Sequence, residues 1–407
     1  TVIFNAPVTS DDILDITTGS GEDEVITNDT ATLDADNMTF TLGDGKNTVT
    51  FNENVTALGK FELNTGTGVD KLTTAKDAIL KVTDEEGNGE IILTLGDGEN
   101  TVTFNDVVTA GSGFDLTTGK NVDKLLTSDD AVLSVTTGHM KLDLGDGDNV
   151  VDFKNTVTIA TDFEVITGSG SDTLATDEDA TLKTKIISMT LGDGENTVTF
   201  NDSVSAEEKF EITTGVDKDI VLTNIGADLK APTVTLSLSD GDNSVEFNDT
   251  VSATDSFELT TGEGKDTYLN TAAISGGQYT YKTGGGDDKL TFDATATFTS
   301  LTYTADVDGE SFVLTADDQA GVGTNLNTIN SSALNSNVVA TELVFVAQPV
   351  PLVVSSGELE AFTTIPVVEA VDADGTRDTD FTLDVSLSEV LGAGSATLDV
   401  MPVDGDG

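Results

Sequence analysis

The sequence predicts an all-β protein whose larger part is a parallel β-solenoid with about 23–24 residues per coil. Three observations carry this. A Gly-x-Gly-x-Asp or Gly-x-Gly-x-Asn turn recurs through most of the chain. Two apolar columns keep a constant offset from that turn. The runs between turns, such as NTVTF and KFELNT, alternate apolar and polar residues and are rich in Val, Thr and Phe, the pattern of short half-buried strands.

The turns set the period. TTGSGEDEVIT from Thr17, LGDGKNTVTFN from Leu42, NTGTGVDKLTT from Asn64 and LGDGENTVTFN from Leu95 are the first four. Their leading positions continue as 19, 43, 66, 96, 119, 145, 168, 192, 215, 239, 262 and 284, so successive spacings are 24, 23, 30, 23, 26, 23, 24, 23, 24, 23 and 22. Two insertions thus interrupt a steady repeat. Glycine at the leading positions is expected to supply the unusual backbone angles of a tight corner. Six residues after the lead stands an apolar column running from Val25 to Leu290, and three before it another from Ile16 to Tyr281. No segment has helical caps or a 3.6-residue period. A coil of such strands buries its apolar face only by stacking on its neighbours. At about 4.8 Å per rung, twelve rungs make a rod of about 58 Å.

The coils are of two kinds. Four residues after the lead the residue is Asn47, Asn100, Asn149, Asn196 and Asn243 in one kind, and Asp23, Asp70, Asp123, Asp172, Asp219, Asp266 and Asp288 in the other. The Asn coils carry Phe51, Phe104, Phe153, Phe200 and Phe247, and ten residues later Phe61, Phe114, Phe163, Phe210 and Phe257. Where the first Phe column stands, the Asp coils carry Thr27, Thr74, Thr127, Thr176 and Thr223. Alternating large and small side chains lets layers interdigitate, so both Phe columns are expected in the core. A larger coil of about 47 residues, with the two kinds on opposite sides, is the alternative arrangement.

Composition narrows the function. The chain of 407 residues has 73 acidic and 18 basic side chains, a formal net charge of −55. Such a chain repels nucleic acid and anionic membranes and attracts divalent cations. Its periodic apolar residues, part of a 37% hydrophobic content, argue against a disordered acidic tail. Cysteine and tryptophan are absent, His139 is the one histidine and Arg377 the one arginine. No apolar run reaches the roughly 18–20 residues of a membrane span. No signal peptide is visible, and the first residue is Thr1, so the chain is expected to be processed or part of a longer one.

The turn resembles the calcium-binding nonapeptide of the repeats-in-toxin family, most closely in GSGEDEV from Gly19, GTGVDKL from Gly66, GSGSDTL from Gly168, GEGKDTY from Gly262 and GGGDDKL from Gly284. The resemblance implies calcium held between stacked turns by aspartates and glycine carbonyls, the oxygen ligands that ion takes. The candidate ligands are Asp23, Asp70, Asp123, Asp172, Asp219, Asp266 and Asp288, with Asp44, Asp97, Asp146, Asp193 and Asp240 in the Asn turns. The sequence departs from the family in having one motif per coil and in placing Asn in alternate turns. Aspartates stacked at one rung would repel, and an intervening Asn doubles their spacing. The alternative is a metal-free hydrogen-bonded corner ladder. Asn28, Asn52, Asn105, Asn201, Asn224 and Asn248, nine after the lead, read as a structural ladder at the other corner.

The turn pattern stops near Asp293. The segments ATFTSLTYTADVDGESFVLTADD, ATELVFVAQPVPLVV and PVVEAVDADGTRDTDFTLDVSLSE resemble strands of the immunoglobulin-like repeats of large bacterial surface proteins. That implies late strands of an immunoglobulin-like β-sandwich in 294–340 and early strands in 341–407, an inverted order that a neighbouring repeat would complete. The opening TVIFNAPVTSDDIL matches TVTFNDSVSAEEKF from Thr197 without its turn, and the closing PVDGDG supplies one. The chain is therefore expected to be one period of a head-to-tail array.

No enzyme is expected. His139 and Arg377 have no partner constellation, and no carboxylate pair stands out as acid and base. Sugar-stacking Trp and an HExxH motif are lacking. The expected role is a structural repeat unit of an extracellular filament, sheath or surface layer, contacting copies of itself or adjacent repeats. The alternative is the stalk or binding segment of a cell-surface adhesin that engages glycans.

Overall fold

A computed structural model describes residues 1–272, 274–293, 301–305, 311–317, 329–330, 334–335, 339–348, 350, 364, 366–373, 375–379 and 381–382. The chain divides into two compact units, Thr1–Ser336 and Asn337–Gly407. Among the described residues there is no helix.

In the first unit each coil contributes one strand to each of two parallel sheets. After the Gly-rich turn comes a four-residue strand, such as Thr48–Phe51 or Thr101–Phe104. A second corner leads to a longer strand of nine or ten residues, such as Leu33–Thr41 or Val55–Asn64. The register fixes the coil size. Val25 pairs with Val49, Val49 with Leu72, and Leu72 with Val102, one motif period at a time. A coil of about 47 residues is thereby excluded.

The two apolar columns of the sequence are two inward rows of side chains. Alternation along a strand turns every second residue into the core, and Val25, Val49, Leu72, Leu125 and Val198 are fully or almost fully buried. Both Phe columns are buried as well. Phe104 and Phe114 lie 6.0 Å apart at 78°, and Phe200 and Phe210 lie 5.9 Å apart at 70°, the edge-to-face arrangement aromatic pairs favour. The threonine column has a polar task besides its small size. Thr27, Thr74 and Thr176 are buried, and their hydroxyls accept the backbone N–H of Asn52, Asn105 and Asn201 of the next coil at 2.8, 3.0 and 3.1 Å. In the Asn coils the asparagine ladder of the second corner is therefore built on threonine, whereas Asn28 and Asn224 donate their backbone N–H to the carbonyls of Phe4 and Phe200.

The long strands carry a register shift in mid-strand, for example between Ala35 and Asn37 and between Ala231 and Thr233. Both sequence insertions fall at this bulge. In the middle coils the long strand is split, as Leu80–Val82 and Glu90–Thr94 or Leu133–Val135 and His139–Asp143. An extra residue at a bulge is unpaired already, so the ladder admits a loop there without losing its register on either side.

The parallel ladders outlast the turn motif. Leu301–Ala305 pairs with Ile274–Thr283, and Ser311–Asp317 with Lys289–Asp293, both parallel. Ile329–Asn330 and Leu334–Asn335 then pair antiparallel with Ser311–Asp317. The sequence resemblance assigns this segment to a separate sandwich, but an alternating strand in register serves a parallel ladder equally well. In the second unit Glu342–Ala347 and Val367–Val371 form an antiparallel pair, with Ala340 N–H donating to Asp378 at 3.0 Å and Arg377 paired with Glu369 at 3.4 Å. The remaining strands expected in 341–407, and the chain end used in the head-to-tail reading, lie outside the described residues.

Candidate functional site

The site is the Gly-rich corner. Its glycines are needed for two separate reasons. The glycine two after the lead takes a left-handed backbone, with φ from 118° to 150° in Gly45, Gly68 and Gly264, and Asn121 and Asp217 adopt it at 90° and 95° where glycine is missing. The leading glycine is needed mainly for closeness. A Cβ on Gly66 would stand 2.3 Å from Asp44 Oδ1, and one on Gly192 would stand 2.0 Å from Gly168 O. The expectation that the leading glycine supplies the angles holds for Gly43 and Gly145, at φ 62° and 63°, while in every coil the residue two after the lead takes a positive φ.

A single side-chain ladder runs down the corner. From Asp70 to Asp288, Oδ1 of each Asp or Asn four after the lead accepts the backbone N–H of its counterpart one coil earlier, at 2.9–3.1 Å. Asn and Asp are interchangeable in this bond because both offer the same oxygen. They differ in the second atom of the group. In the Asn turns Nδ2 donates to two carbonyls of its own turn, at 2.8–3.4 Å: Gly43 and Gly45, Gly96 and Gly98, Gly145 and Gly147, Gly192 and Gly194, Ser239 and Gly241.

An aspartate cannot make that bond. Asp70, Asp123, Asp172, Asp219 and Asp266 are 0–4% exposed, and Oδ2 of each, like Oδ2 of Asp288, is buried with no hydrogen-bond partner. Asp23, in the first turn, is only half-buried. Burial is the main cause that lifts the carboxyls of Asp123 and Asp266 to about 6, against the N–H donors that favour their charged form. Those of Asp172, Asp219 and Asp288 are also raised, chiefly by burial. A buried charge left half-solvated is costly unless a proton or cation joins it.

The second set of candidate ligands is placed differently. Asp44, Asp97, Asp146, Asp193 and Asp240 are exposed. Their Oδ1 atoms accept the N–H of Thr67, Lys120, Ser169, Val216 and Glu263 of the next coil at 2.8–3.0 Å. For Asp44 and Asp146 these donors hold the carboxyl below its ordinary value. This set braces the following turn from outside, while the buried set lines the corner.

One partner of the buried set escaped the sequence reading. The residue ahead of the turn alternates with it: Thr65, Thr118, Thr167, Thr214 and Thr261 in the Asp coils, and Leu42, Leu95, Leu144, Leu191 and Leu238 in the Asn coils. Thr118 and Thr214 lie close enough to favour the charged forms of Asp123 and Asp219, though outside hydrogen-bonding position. The hydroxyls of Thr65, Thr214 and Thr261 are themselves buried without a partner. The leading carbonyls divide in the same way. Gly43, Gly145, Gly192 and Ser239 accept the N–H of the next leading residue at 2.7–3.2 Å. Among the described residues no donor reaches the carbonyls of Gly66, Gly119, Gly168, Gly215 or Gly262.

The Asp coils from Asp70 to Asp266 therefore each bring a carboxylate oxygen, a hydroxyl and a free carbonyl to one corner, an all-oxygen set suited to a hard cation. Among the described residues no three acidic or histidine side chains gather as a metal cage, so an ion here would depend on backbone and hydroxyl oxygens as well. The alternation lapses once, where Asp288 follows Asp266 without an Asn between them, and Asp266 N–H donates to Asp288 at 3.0 Å. A cavity of about 10 Å³ adjoins Asp266, lined by Val245, Leu259, Thr261, Tyr268 and Leu290 among others, and its open surface is apolar.

Elsewhere His139 meets Asp115 at 3.1 Å on the exposed face of the long-strand sheet. No protein-family model, curated protein or solved structure matches this chain.

Proposed function

We propose that the chain is a structural repeat unit of a large extracellular filament, sheath or surface layer, and that calcium stabilises its Gly-rich corner. The observation that supports the calcium part is the row of buried carboxylates whose second oxygens have no donor. A divalent ion there would relieve the repulsion and take up the free carbonyl and hydroxyl oxygens. Asp70, Asp123, Asp172, Asp219, Asp266 and Asp288 are the ligands this favours. Asp44, Asp97, Asp146, Asp193 and Asp240 stay in the proposal as outer acids only.

The structural role is supported by the monotony of the rod, in which each coil repeats its neighbour's contacts. One face suits contact with copies of itself. The outward positions of the short strands carry Lys71, Lys124 and Lys289 against Glu24, Asp152 and Glu246. That face is balanced on a chain of net charge −55, so two copies could approach through it with little repulsion. The alternative, an adhesin stalk binding glycans, is favoured by one feature. The loops at Gly87, Gly111 and Gly138 adjoin in consecutive coils, where Thr137 donates to Gly87 O at 2.9 Å and a Cβ on Gly138 would stand 1.6 Å from Ser112 O.

Imaging of the native assembly separates the two, a periodic lattice or fibre against isolated stalks. The calcium part is tested by melting with calcium and with chelator at equal ionic strength. Free calcium at one hundred times its dissociation constant should add about 2.7 kcal/mol. An unchanged midpoint leaves the metal-free ladder as the answer.

A further inference from the structure

The Asn and Asp coils make the same ladder bond through Oδ1, so the two planar groups present their second atoms alike. In the Asn coils that atom is Nδ2, bound to two carbonyls of its own turn. In the Asp coils it is Oδ2, with no partner. We propose that the asparagine amide stands in for a cation, so that the rod takes up cations only at its Asp coils and the Asn coils are complete without one. This rests on the proposed calcium role and adds which coils carry it.

Three independent differences follow the alternation. An amide nitrogen carries two N–H donors and no lone pair to offer, so at the turn carbonyls it does what a cation does: it supplies positive charge to oxygen. In four of the five Asn coils, all but that of Gly96, the leading carbonyl also accepts an N–H from the next coil, whereas in the Asp coils from Gly66 to Gly262 no donor reaches it. The residue ahead of the turn is buried leucine where the amide already serves the carbonyls, as in Leu144 and Leu191, and threonine where a further oxygen is wanted, as in Thr167 and Thr214. An ion in every coil would stack charges at about 4.8 Å, and the amide coil doubles that distance.

The experiment uses the full chain and counts calcium by equilibrium dialysis, with melting in chelator as the second readout. Asp172→Asn should lose one bound calcium per chain. It should also melt higher than the unaltered protein in chelator, because its new amide reaches the Gly168 and Gly170 carbonyls as Asn149 reaches those of Gly145 and Gly147. Asn149→Asp with Leu144→Thr, which sets three Asp coils in succession, should melt lower in chelator. If that double variant does not fold, Asp172→Asn decides alone, since it keeps size and shape. A chain that binds calcium yet keeps its full count in Asp172→Asn overturns the assignment of ions to the Asp coils and leaves the calcium role standing. A chain that binds no calcium overturns the calcium role itself and the ion count with it.

Discussion

Phe153→Ala tests the core of the rod most directly. Phe153 is fully buried and pairs in register with Thr176 of the next coil. Its ring lies 6.0 Å from that of Phe163 across the coil, at 58°. Burial of a Phe side chain is worth about 1.5–3 kcal/mol and an aromatic pair about 0.5–1.5 kcal/mol more. The hole cannot be refilled locally, because the neighbouring coils place threonines in that column and their hydroxyls are engaged: Thr127 accepts the Lys154 N–H at 2.7 Å and Thr176 the Asn201 N–H. The cost should be about 3–5 kcal/mol. Stability in a solenoid is a sum over coils and their interfaces, so hydrogen exchange should accelerate most in the coils on either side of residue 153 and fall off away from it. Denaturant unfolding gives the total, and exchange gives its distribution. A cost under about 1 kcal/mol, or exchange that rises evenly along the chain, would refute the one-coil core.

Thr176→Val keeps the shape but leaves the Asn201 N–H without its acceptor, so it should cost about 1–3 kcal/mol by denaturant unfolding. Gly98→Ala meets both a φ of 141° and a Cβ position 1.5 Å from Gly68 O, whereas Gly19→Ala has nothing within 4 Å. The first should lower stability by at least about 2 kcal/mol and the second should be neutral within about 0.5 kcal/mol. The pH dependence without calcium has a definite sign. Asp123 and Asp266 rise from an ordinary value of 3.8 to about 6 on folding, so the folded chain prefers their protonated form. That preference favours folding below about pH 4 and is lost as pH rises through 6. Asp44 and Asp146, held low by their N–H donors, lose their contribution only as pH falls below the ordinary range. In chelator the protein should therefore melt higher near pH 5 than near pH 7.5, and equal midpoints would show that these carboxylates are not buried.

The period, the strand character and the identity of the inward columns could be read from residue order because each is a local property. Apolar alternation and a glycine turn every 23–24 residues mean the same thing in any coil. The exchange of Asn for Asp could be seen too, as could the alternation of Thr and Leu ahead of the turn, but their meaning depends on which atoms face which across a rung. Coil size was settled by the pairing of Val25 with Val49, a contact between residues one full turn apart that spacing alone leaves open to a doubled coil. The separation of the acids into a buried row at Asp70, Asp123 and Asp172 and an exposed row at Asp44, Asp97 and Asp146 arises from the direction in which the corner turns each residue. The extension of the ladders to Leu301–Ala305 and Ser311–Asp317 has the same origin. Alternating strands carry no mark of the sheet they will join, and the choice falls to whichever open edge is in register beside them.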